Sequence, residues 1–261
     1  MKQTTRLIDI LKLLRDPDKG CAWTQEQDFK SLAPYTLEEA YEVVDAIHEN
    51  DPEKLKDELG DLLLQIIYQS QIADELGLFN FEDVAETISN KMERRHTHIF
   101  SDDSALTAED VNKKWEINKA KERKENNYKS ELDGIARALP ALTRAEKISK
   151  RAARAGFEWS EFQSVIDKVE EEIQEFRIEV EEETPERHEE FGDILFSLVN
   201  VARWQGIDPD AAMRDANDKF EWRFRHMEQH ASASLNQFDL NELEDLWSAA
   251  KQAEYKLKKS A

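Results

Sequence analysis

The sequence predicts an all-α protein built from two tandem helical-bundle domains, and three observations support this fold class. Glycine and proline are scarce, with 7 Gly and 6 Pro among 261 residues, and no stretch of strand length alternates apolar and polar residues. Hydrophobic residues make up 39% and charged residues 36% of the chain, as is typical of amphipathic helices with solvated faces. The third observation is an internal repeat, which divides the helices between two domains.

The repeat consists of a set of landmarks that occurs twice in the same order. Each copy contains Gly-x-x-Trp, Glu-Glu-x-x-Glu, Glu-x-Gly-Asp, Lys-x-x-x-Arg and Trp-x-x-x-Lys segments. The offset between corresponding landmarks stays between 128 and 136 residues. Because this register is kept along the whole chain, we predict a first domain over 1–125, a polar linker over 126–136 and a second domain over 137–261.

Periodicity and boundary residues predict the individual helices. In the first copy, an amphipathic helix over 1–15 ends at the turn Asp16-Pro-Asp-Lys-Gly20. Thr36-Leu-Glu-Glu39 matches a capping box that starts the next helix, and Asp51-Pro52 starts a third that stops near Gly77. Later helices are predicted at about 81–96, 108–125, 161–183, 185–205, 209–230 and 240–257. The boundaries of the second copy are marked by Pro140, Pro185, Pro209, Gly156 and Gly206.

The charge of the chain excludes several classes of partner. The formal net charge is −21 and the pI is near 4.8, which argues against electrostatic binding to nucleic acid or to an anionic membrane. An anionic ligand would need bound divalent cations to invert the local field. No signal peptide or membrane-spanning segment is recognisable, and the single cysteine, Cys21, fits a reducing compartment. We therefore expect a cytoplasmic protein.

The two acidic segments of each copy are predicted to bring carboxylates together. Residues three or four apart share a helix face, so Glu172 and Glu175 lie together on one helix, and Glu190 and Asp193 on the next. Like charges at this spacing repel each other, and such a cluster favours a bound cation. Carboxylate oxygens suit Mg²⁺, or Mn²⁺, rather than Zn²⁺ or Cu²⁺. The alternative is a chance acidic surface, since 57 of the residues are Asp or Glu, but the occurrence of the pattern in both copies favours a metal site.

Other catalytic schemes lack the residues that they require. The sequence contains no glycine-rich phosphate loop, no Gly-x-Ser-x-Gly segment and no His-Glu-x-x-His segment. A di-iron carboxylate bundle needs Glu-x-x-His on two helices, and neither acidic segment offers it. His96 and His98 are two residues apart and do not share a helix face, which disfavours a zinc site.

Basic side chains downstream of the acidic segments indicate a phosphate-bearing ligand. Lys219 and Arg223 lie one helical turn apart, as do Lys91 and Arg95 in the first copy. Cations of this kind beside a metal cluster suit a polyphosphate. The alternative is a solvated basic face. Trp247 fits either the hydrophobic core, which we favour for an isolated tryptophan, or a stacking contact with a nucleobase.

Two glycines lie inside the predicted carboxylate helices. Gly60 and Gly192 each precede the aspartate of the second acidic segment, at a position where glycine costs about 1 kcal/mol relative to alanine. Either close helix packing or room for a ligand beside Asp61 and Asp193 would explain them. Both explanations stay open at the level of sequence.

The acidic and basic segments, present in two helical copies, resemble the MazG family of nucleoside triphosphate pyrophosphohydrolases in its long, two-domain form. The segments Gly20-Cys-Ala-Trp23 and Ala33-Pro-Tyr-Thr-Leu-Glu-Glu39 strengthen the resemblance, which covers nearly the whole chain. The resemblance implies an all-α fold of the MazG type, a homodimer, and Mg²⁺-dependent hydrolysis of an NTP or dNTP to the monophosphate and diphosphate. In that reaction a metal-activated water attacks the α-phosphorus, without a covalent nucleophile.

The resemblance also implies roles for residues of the second copy. The implied metal ligands are Glu172, Glu175, Glu190 and Asp193, with Glu171 in or beside that shell. The implied catalytic residues are Glu171, Glu172, Lys219 and Arg223. Lys168, Lys219, Arg223 and Lys251 would hold the phosphates, Glu171, Glu172 and Asp193 would also contact the substrate, and Trp247 would border the nucleotide. The corresponding residues of the first copy are Glu38, Glu39, Glu42, Glu58, Asp61, Lys91, Arg95, Trp115 and Lys119.

One difference between the copies favours the second as the main catalytic domain. Lys168 has Tyr35 as its counterpart, so the first copy lacks one phosphate ligand. Activity in both copies stays open. The rival hypothesis is a non-catalytic acidic helical module that senses a nucleotide or binds a partner protein, because binding and catalysis use the same side chains.

Overall fold

The computed structural model describes residues 2–100, 107, 110–111, 118 and 129–260. Within these residues all regular secondary structure is helical, which confirms the all-α class. The chain divides into two compact units, residues 1–122 and 123–261, as a tandem duplication requires. The limits of the predicted linker, 126–136, fall partly outside the described residues and stay a prediction.

The first unit is built around a helical hairpin. Its described helices are α1 (Lys2–Leu14), α2 (Ala22–Glu26), α3 (Phe29–His48), α4 (Pro52–Glu75), α5 (Phe81–Arg95) and the short α6 (Thr97–Phe100). Helices α3 and α4 run antiparallel, because Thr36 contacts Gln69 whereas Glu39, further along α3, contacts Gln65, further back on α4. The buried apolar residues beneath this hairpin come from α1, α3 and α4, and they are Leu11, Leu32, Ile67, Tyr68 and Ile72.

The start of α3 corrects one prediction from the sequence. The helix begins at Phe29 and not near Thr36, because Asp28 caps it. The Asp28 carboxylate accepts a hydrogen bond from the Ser31 N–H, and the Ser31 hydroxyl accepts one from the Asp28 N–H. Thr36 therefore lies inside the helix, where its hydroxyl donates to the carbonyl of Leu32. The predicted capping box was wrong because a complete cap lies about two turns upstream.

The second unit contains two helical hairpins. Its helices are α7 (Ala141–Arg154), α8 (Phe162–Glu181), α9 (Arg187–Trp204), α10 (Pro209–His230) and α11 (Leu240–Ser260), with a 3-10 turn over Leu235–Gln237. Helices α8 and α9 run antiparallel, since Phe162 contacts Trp204 and Phe176 contacts Phe191. Helix α7 packs on α9, where the Ser149 hydroxyl hydrogen-bonds Asn200, and α10 pairs with α11.

Most other predicted boundaries are confirmed. Asp51 and Asp208 cap α4 and α10 through their side chains, and each is followed by proline at the first helical position. Gly156 and Gly206 follow α7 and α9 with φ of 98° and 67°, a conformation that glycine adopts readily. The predicted helix over 108–125 lies mostly outside the described residues. No helix in the described part of the chain is long and apolar enough to cross a membrane.

Candidate active site

Three carboxylates of the second unit converge where α8 packs against α9. Glu172 and Glu175 lie one turn apart on α8, and Glu190 lies in the first turn of α9. Each offers one oxygen to a group whose members all lie within 4.8 Å of one another. The antiparallel hairpin explains this convergence, because the C-terminal half of α8 faces the beginning of α9.

Glu172 is the most deeply buried member of the group. It is 5% exposed, and a buried carboxylate is unfavourable unless another group compensates its charge. Lys168, one turn earlier on α8, provides this compensation. Its Nζ lies 2.7 Å from an oxygen of Glu172 and 2.8 Å from an oxygen of Glu171. Hydrogen bonds to Glu171 and Glu172 raise the pKa of Lys168, so the ammonium group keeps its proton far above neutral pH.

Negative charge remains uncompensated around Glu190. Desolvation raises the pKa of Glu190, and the charges of Glu175, Glu172 and Asp193 raise it further. No basic side chain in the described part of the chain forms an ion pair with Glu175 or Glu190. An all-oxygen donor set with excess negative charge fits a hard divalent cation such as Mg²⁺. The residues present therefore fit the metal that the sequence predicts.

Asp193 occupies a different position from the other three predicted metal ligands. It is exposed, one turn after Glu190, and its oxygens do not belong to the group within 4.8 Å. Its charge nevertheless contributes to the raised pKa of Glu190. The structure thus brings Glu172, Glu175 and Glu190 together, and places Asp193 at the edge of the group.

The first unit repeats this arrangement with a different third member. Glu39 on α3 and both Glu58 and Asp61 on α4 form a group with the same 4.8 Å limit. Desolvation and the charge of Asp61 raise the pKa of Glu39. Glu38 and Glu42 are exposed and lie outside the group. Both duplicated segments therefore produce a carboxylate cluster, as the sequence predicts.

The two clusters differ in how the central carboxylate is compensated. Glu172 is buried and paired with Lys168, whereas Glu39 is half-buried and meets the amide of Gln65 at 3.4 Å. Tyr35 stands where the second unit has Lys168. Only the second cluster therefore combines a buried carboxylate with an adjacent cation.

The predicted phosphate-binding arginine is already engaged in the second unit. Arg223 on α10 donates to Glu254 on α11, with nitrogen–oxygen distances of 2.7 and 2.6 Å. Its guanidinium carbon lies 5.4 Å from the centroid of the Trp247 ring, which also contacts Phe220 at 5.3 Å. Sequence reasoning missed Glu254. It lies seven residues after Trp247 on the same face of α11, a spacing that could have identified it.

Two further predicted phosphate ligands, Lys219 and Lys251, are exposed. Neither forms an ion pair within the described residues, so both ammonium groups are available to an anion. No hydrogen bond or ion pair among these residues joins the basic group of α10 and α11 to the carboxylates of α8 and α9. In the first unit, Lys91 and Arg95 lie one turn apart on α5, whereas Trp115 and Lys119 lie outside the described residues.

Gly60 and Gly192 have open space beside them. A Cβ atom added to either glycine would meet nothing within 4 Å. Close packing within the described chain therefore does not explain these glycines. The open side lies one residue from Asp61 and Asp193 respectively, which leaves room for a ligand or another chain.

Comparison with known proteins decides the family. The profile of the MazG nucleotide pyrophosphohydrolase domain matches residues 27–100 and 160–228, one segment in each unit and more than half of the chain. The chain belongs to the MazG family. Both carboxylate clusters of this MazG chain lie inside the matched segments.

Two full-length relatives support this membership. A nucleoside triphosphate pyrophosphohydrolase of Escherichia coli is 45% identical over 263 residues, which cover 98% of this chain and 100% of the relative. A nucleoside triphosphate pyrophosphohydrolase/pyrophosphatase MazG of Thermotoga maritima is 40% identical over 249 residues, 94% of each chain. The MazG chain is thus an enzyme, a hydrolase that acts on phosphoric anhydrides.

Proposed function

We propose that this MazG enzyme hydrolyses a nucleoside triphosphate to the monophosphate and diphosphate, with Mg²⁺ or Mn²⁺ held by the carboxylates of the second unit. The observation that carries the proposal is the convergence of Glu172, Glu175 and Glu190 within 4.8 Å. The relatives named for this activity support the choice of substrate. A chain of net charge −21 repels a polyphosphate, so a cation-binding site is a precondition for the reaction.

The carboxylates would bind the cation that the hydrolysis requires. Glu172, Glu175 and Glu190 would hold the cation, with Asp193 at the edge. A bound divalent cation supplies positive charge to the phosphates and lowers the pKa of water. A water oxygen bonds to the α-phosphorus while the bond from that phosphorus to the α,β-bridging oxygen breaks, which yields the monophosphate and diphosphate. The same carboxylates would accept the proton that the water loses.

Basic residues would bind and orient the triphosphate. Lys168 lies beside the carboxylates, and Lys219 and Lys251 have free ammonium groups. When substrate binds, the Arg223 guanidinium would donate to a phosphate oxygen, either in place of Glu254 or in addition to it. These cations would also stabilise the charge on the departing diphosphate.

One assay tests the proposal. The protein is incubated with each NTP and dNTP in Mg²⁺, in Mn²⁺ and in EDTA, and the products are separated by ion-exchange chromatography. We expect monophosphate and diphosphate with either metal, and no turnover in EDTA. Nucleoside diphosphate and orthophosphate as products would contradict attack at the α-phosphorus. Tight nucleotide binding without turnover would favour the sensing module.

We also propose a homodimer formed through α9 and its counterpart α4. Phe191 and Leu198 are 49% and 47% exposed on one stripe of α9, and Leu59 and Ile66 are 49% and 40% exposed at the corresponding positions of α4. Exposed apolar stripes of this kind are typical of protein interfaces. The open space beside Gly192, on the same helix, would let another helix approach closely.

The dimer is tested by placing a charge on the stripe. Leu198→Glu should convert the dimer into a monomer, because a carboxylate cannot be buried without a partner. Analytical ultracentrifugation of the wild type and the variant provides the measurement. Leu240→Glu is the matched control, since Leu240 is 71% exposed at the start of α11. A monomeric wild type, or a dimeric Leu198→Glu variant, would contradict the proposed interface.

A further inference from the structure

A cavity of about 410 Å³ lies at the start of the carboxylate hairpin in the second unit. Its walls are formed by residues of the turn between α7 and α8 and by one residue of α8, namely Gly156, Phe157, Glu158, Trp159 and Lys168. This volume falls within the range of about 300–1,000 Å³ that is usual for small-molecule sites. None of the roles assigned above uses the turn residues.

The cavity presents aromatic side chains. Phe157 is 79% exposed, one of the most exposed large apolar residues in the described part of the chain. Gly156, with a φ of 98°, ends α7 and turns the chain so that Phe157 follows it into solvent. Trp159 is half-buried on the same turn. An aromatic ring left in water beside a cavity is available for stacking with a planar ligand.

Glu158 fixes this turn to α9. Its carboxylate accepts hydrogen bonds from the Arg203 guanidinium at 2.6 and 2.7 Å and from the Trp204 indole N–H at 3.0 Å. Arg203 is the main cause of the lowered pKa of Glu158. Because Glu158 also accepts from the Trp159 N–H at 3.0 Å, it holds the backbone of the turn in place. The cavity walls that stay available to a ligand are therefore the rings of Phe157 and Trp159 and the side chain of Lys168.

Lys168 connects the cavity to the carboxylate cluster. The same side chain that lines the cavity places its Nζ 2.7 Å from Glu172. A ligand in the cavity is thus separated from the proposed cation site by one lysine side chain. A nucleotide has this layout, with a planar base at one end and phosphates at the other.

The first unit has different residues at the corresponding turn. Cys21 stands at the position of Phe157, and Tyr35 at the position of Lys168. The Tyr35 ring contacts Trp23, the counterpart of Trp159, edge to face at a centroid distance of 6.2 Å. The Trp23 ring therefore contacts the side chain at the Lys168 position, whereas Trp159 borders a cavity together with Lys168.

We propose that Phe157 and Trp159 form a nucleobase-binding subsite in the second unit, which stacks on the base of the nucleotide while Lys168 and the carboxylate cluster receive its phosphates. This subsite rests on the proposed function, because it takes the substrate to be a nucleoside triphosphate. It assigns base contact to the turn before α8, in addition to the border that Trp247 would form.

The test separates recognition of the base from recognition of the phosphates. Two probes are titrated into the full-length protein with Mg²⁺ by calorimetry: an α,β-methylene nucleoside triphosphate, which resists cleavage, and inorganic triphosphate, which has no base. Phe157→Ala should weaken binding of the nucleotide analogue by about tenfold, as expected for loss of one base-stacking ring, and leave binding of inorganic triphosphate unchanged. Phe157 is so exposed that its truncation leaves the fold intact.

Phe79→Ala is the matched control. Phe79 is 44% exposed and lies two residues after Gly77, another glycine with positive φ beyond a helix end, but in the first unit. This control should bind both probes as the wild type does. Equal weakening of both probes by Phe157→Ala, or no change in either, would overturn the subsite. The subsite would also be overturned if the wild type bound inorganic triphosphate as tightly as the nucleotide analogue, or more tightly. Because binding is measured without cleavage, a failure of the hydrolysis assay leaves this result readable.

Discussion

Replacing Glu172 by glutamine should lower kcat/KM for a nucleoside triphosphate by about 10²–10³-fold, the range seen when one charge-stabilising group is removed from an active site. Glutamine keeps the size of the side chain and one acceptor oxygen, so the packing of α8 on α9 is retained. It removes the negative charge that faces Glu175 and Glu190 and that pairs with Lys168. Steady-state kinetics in Mg²⁺ measure the loss, and a denaturant titration without metal checks that the variant is folded.

Glu39→Gln is the matched control for this variant. It makes the same change in the first unit, at a carboxylate that is half-buried and has no adjacent lysine. We expect a much smaller loss of turnover, because we assign the main catalytic site to the second unit. Equal losses in the two variants would contradict that assignment. Full activity of Glu172→Gln would contradict the role of Glu172 itself.

Replacing Lys168 by methionine should both destabilise the protein and impair catalysis. The variant leaves the buried Glu172 without its counter-ion, and loss of one partner of a buried pair costs about 3–5 kcal/mol. Lys168 is 35% exposed, so solvent screening reduces the expected cost to about 1–3 kcal/mol. Because the pKa of Lys168 is raised in the folded protein, its stabilising contribution is fully present at neutral pH and disappears only as the pH rises through the folded-state pKa.

Metal separates the two effects of Lys168→Met. Without divalent cation, the denaturation midpoint should fall. With Mg²⁺ much of the stability should return, since the cation takes over the neutralisation of Glu172, while KM for the nucleotide stays raised. Lys150→Met is the matched control, because Lys150 pairs with Glu146 on the surface of α7 and such pairs contribute less than about 1 kcal/mol. An unchanged midpoint for Lys168→Met in EDTA would contradict the pairing.

The helices themselves could be predicted from local sequence. Asp51-Pro52, Asp208-Pro209, Gly156 and Gly206 determine helix ends through contacts within a few residues, and the structure confirms these boundaries. The start of α3 was predicted wrongly, although its cap is also local. Two capping sequences compete there, and Asp28 with Ser31 forms the complete reciprocal pair. Local signals identify candidates, and the geometry of the folded backbone selects among them.

The membership of the candidate site could be predicted only in part. Spacing placed Glu172 with Glu175 and Glu190 with Asp193, and the hairpin brings Glu190 to the first pair. The spacing alone did not distinguish Glu190, which lies inside the group, from Asp193, which lies at its edge. That distinction depends on the rotation of α9 against α8, which many packed side chains determine together and no single segment encodes.

By itself, the sequence determined the all-α class, the duplication, the family and the carboxylate-rich helices, because these depend on residue types and on spacings of three or four. Only the tertiary structure decided that Glu172 is buried beside Lys168, that Glu254 holds Arg223, and that Phe157 and Trp159 border a cavity. Burial and contacts between distant residues arise from the packing of whole helices. Two copies with the same motifs can therefore differ in chemistry.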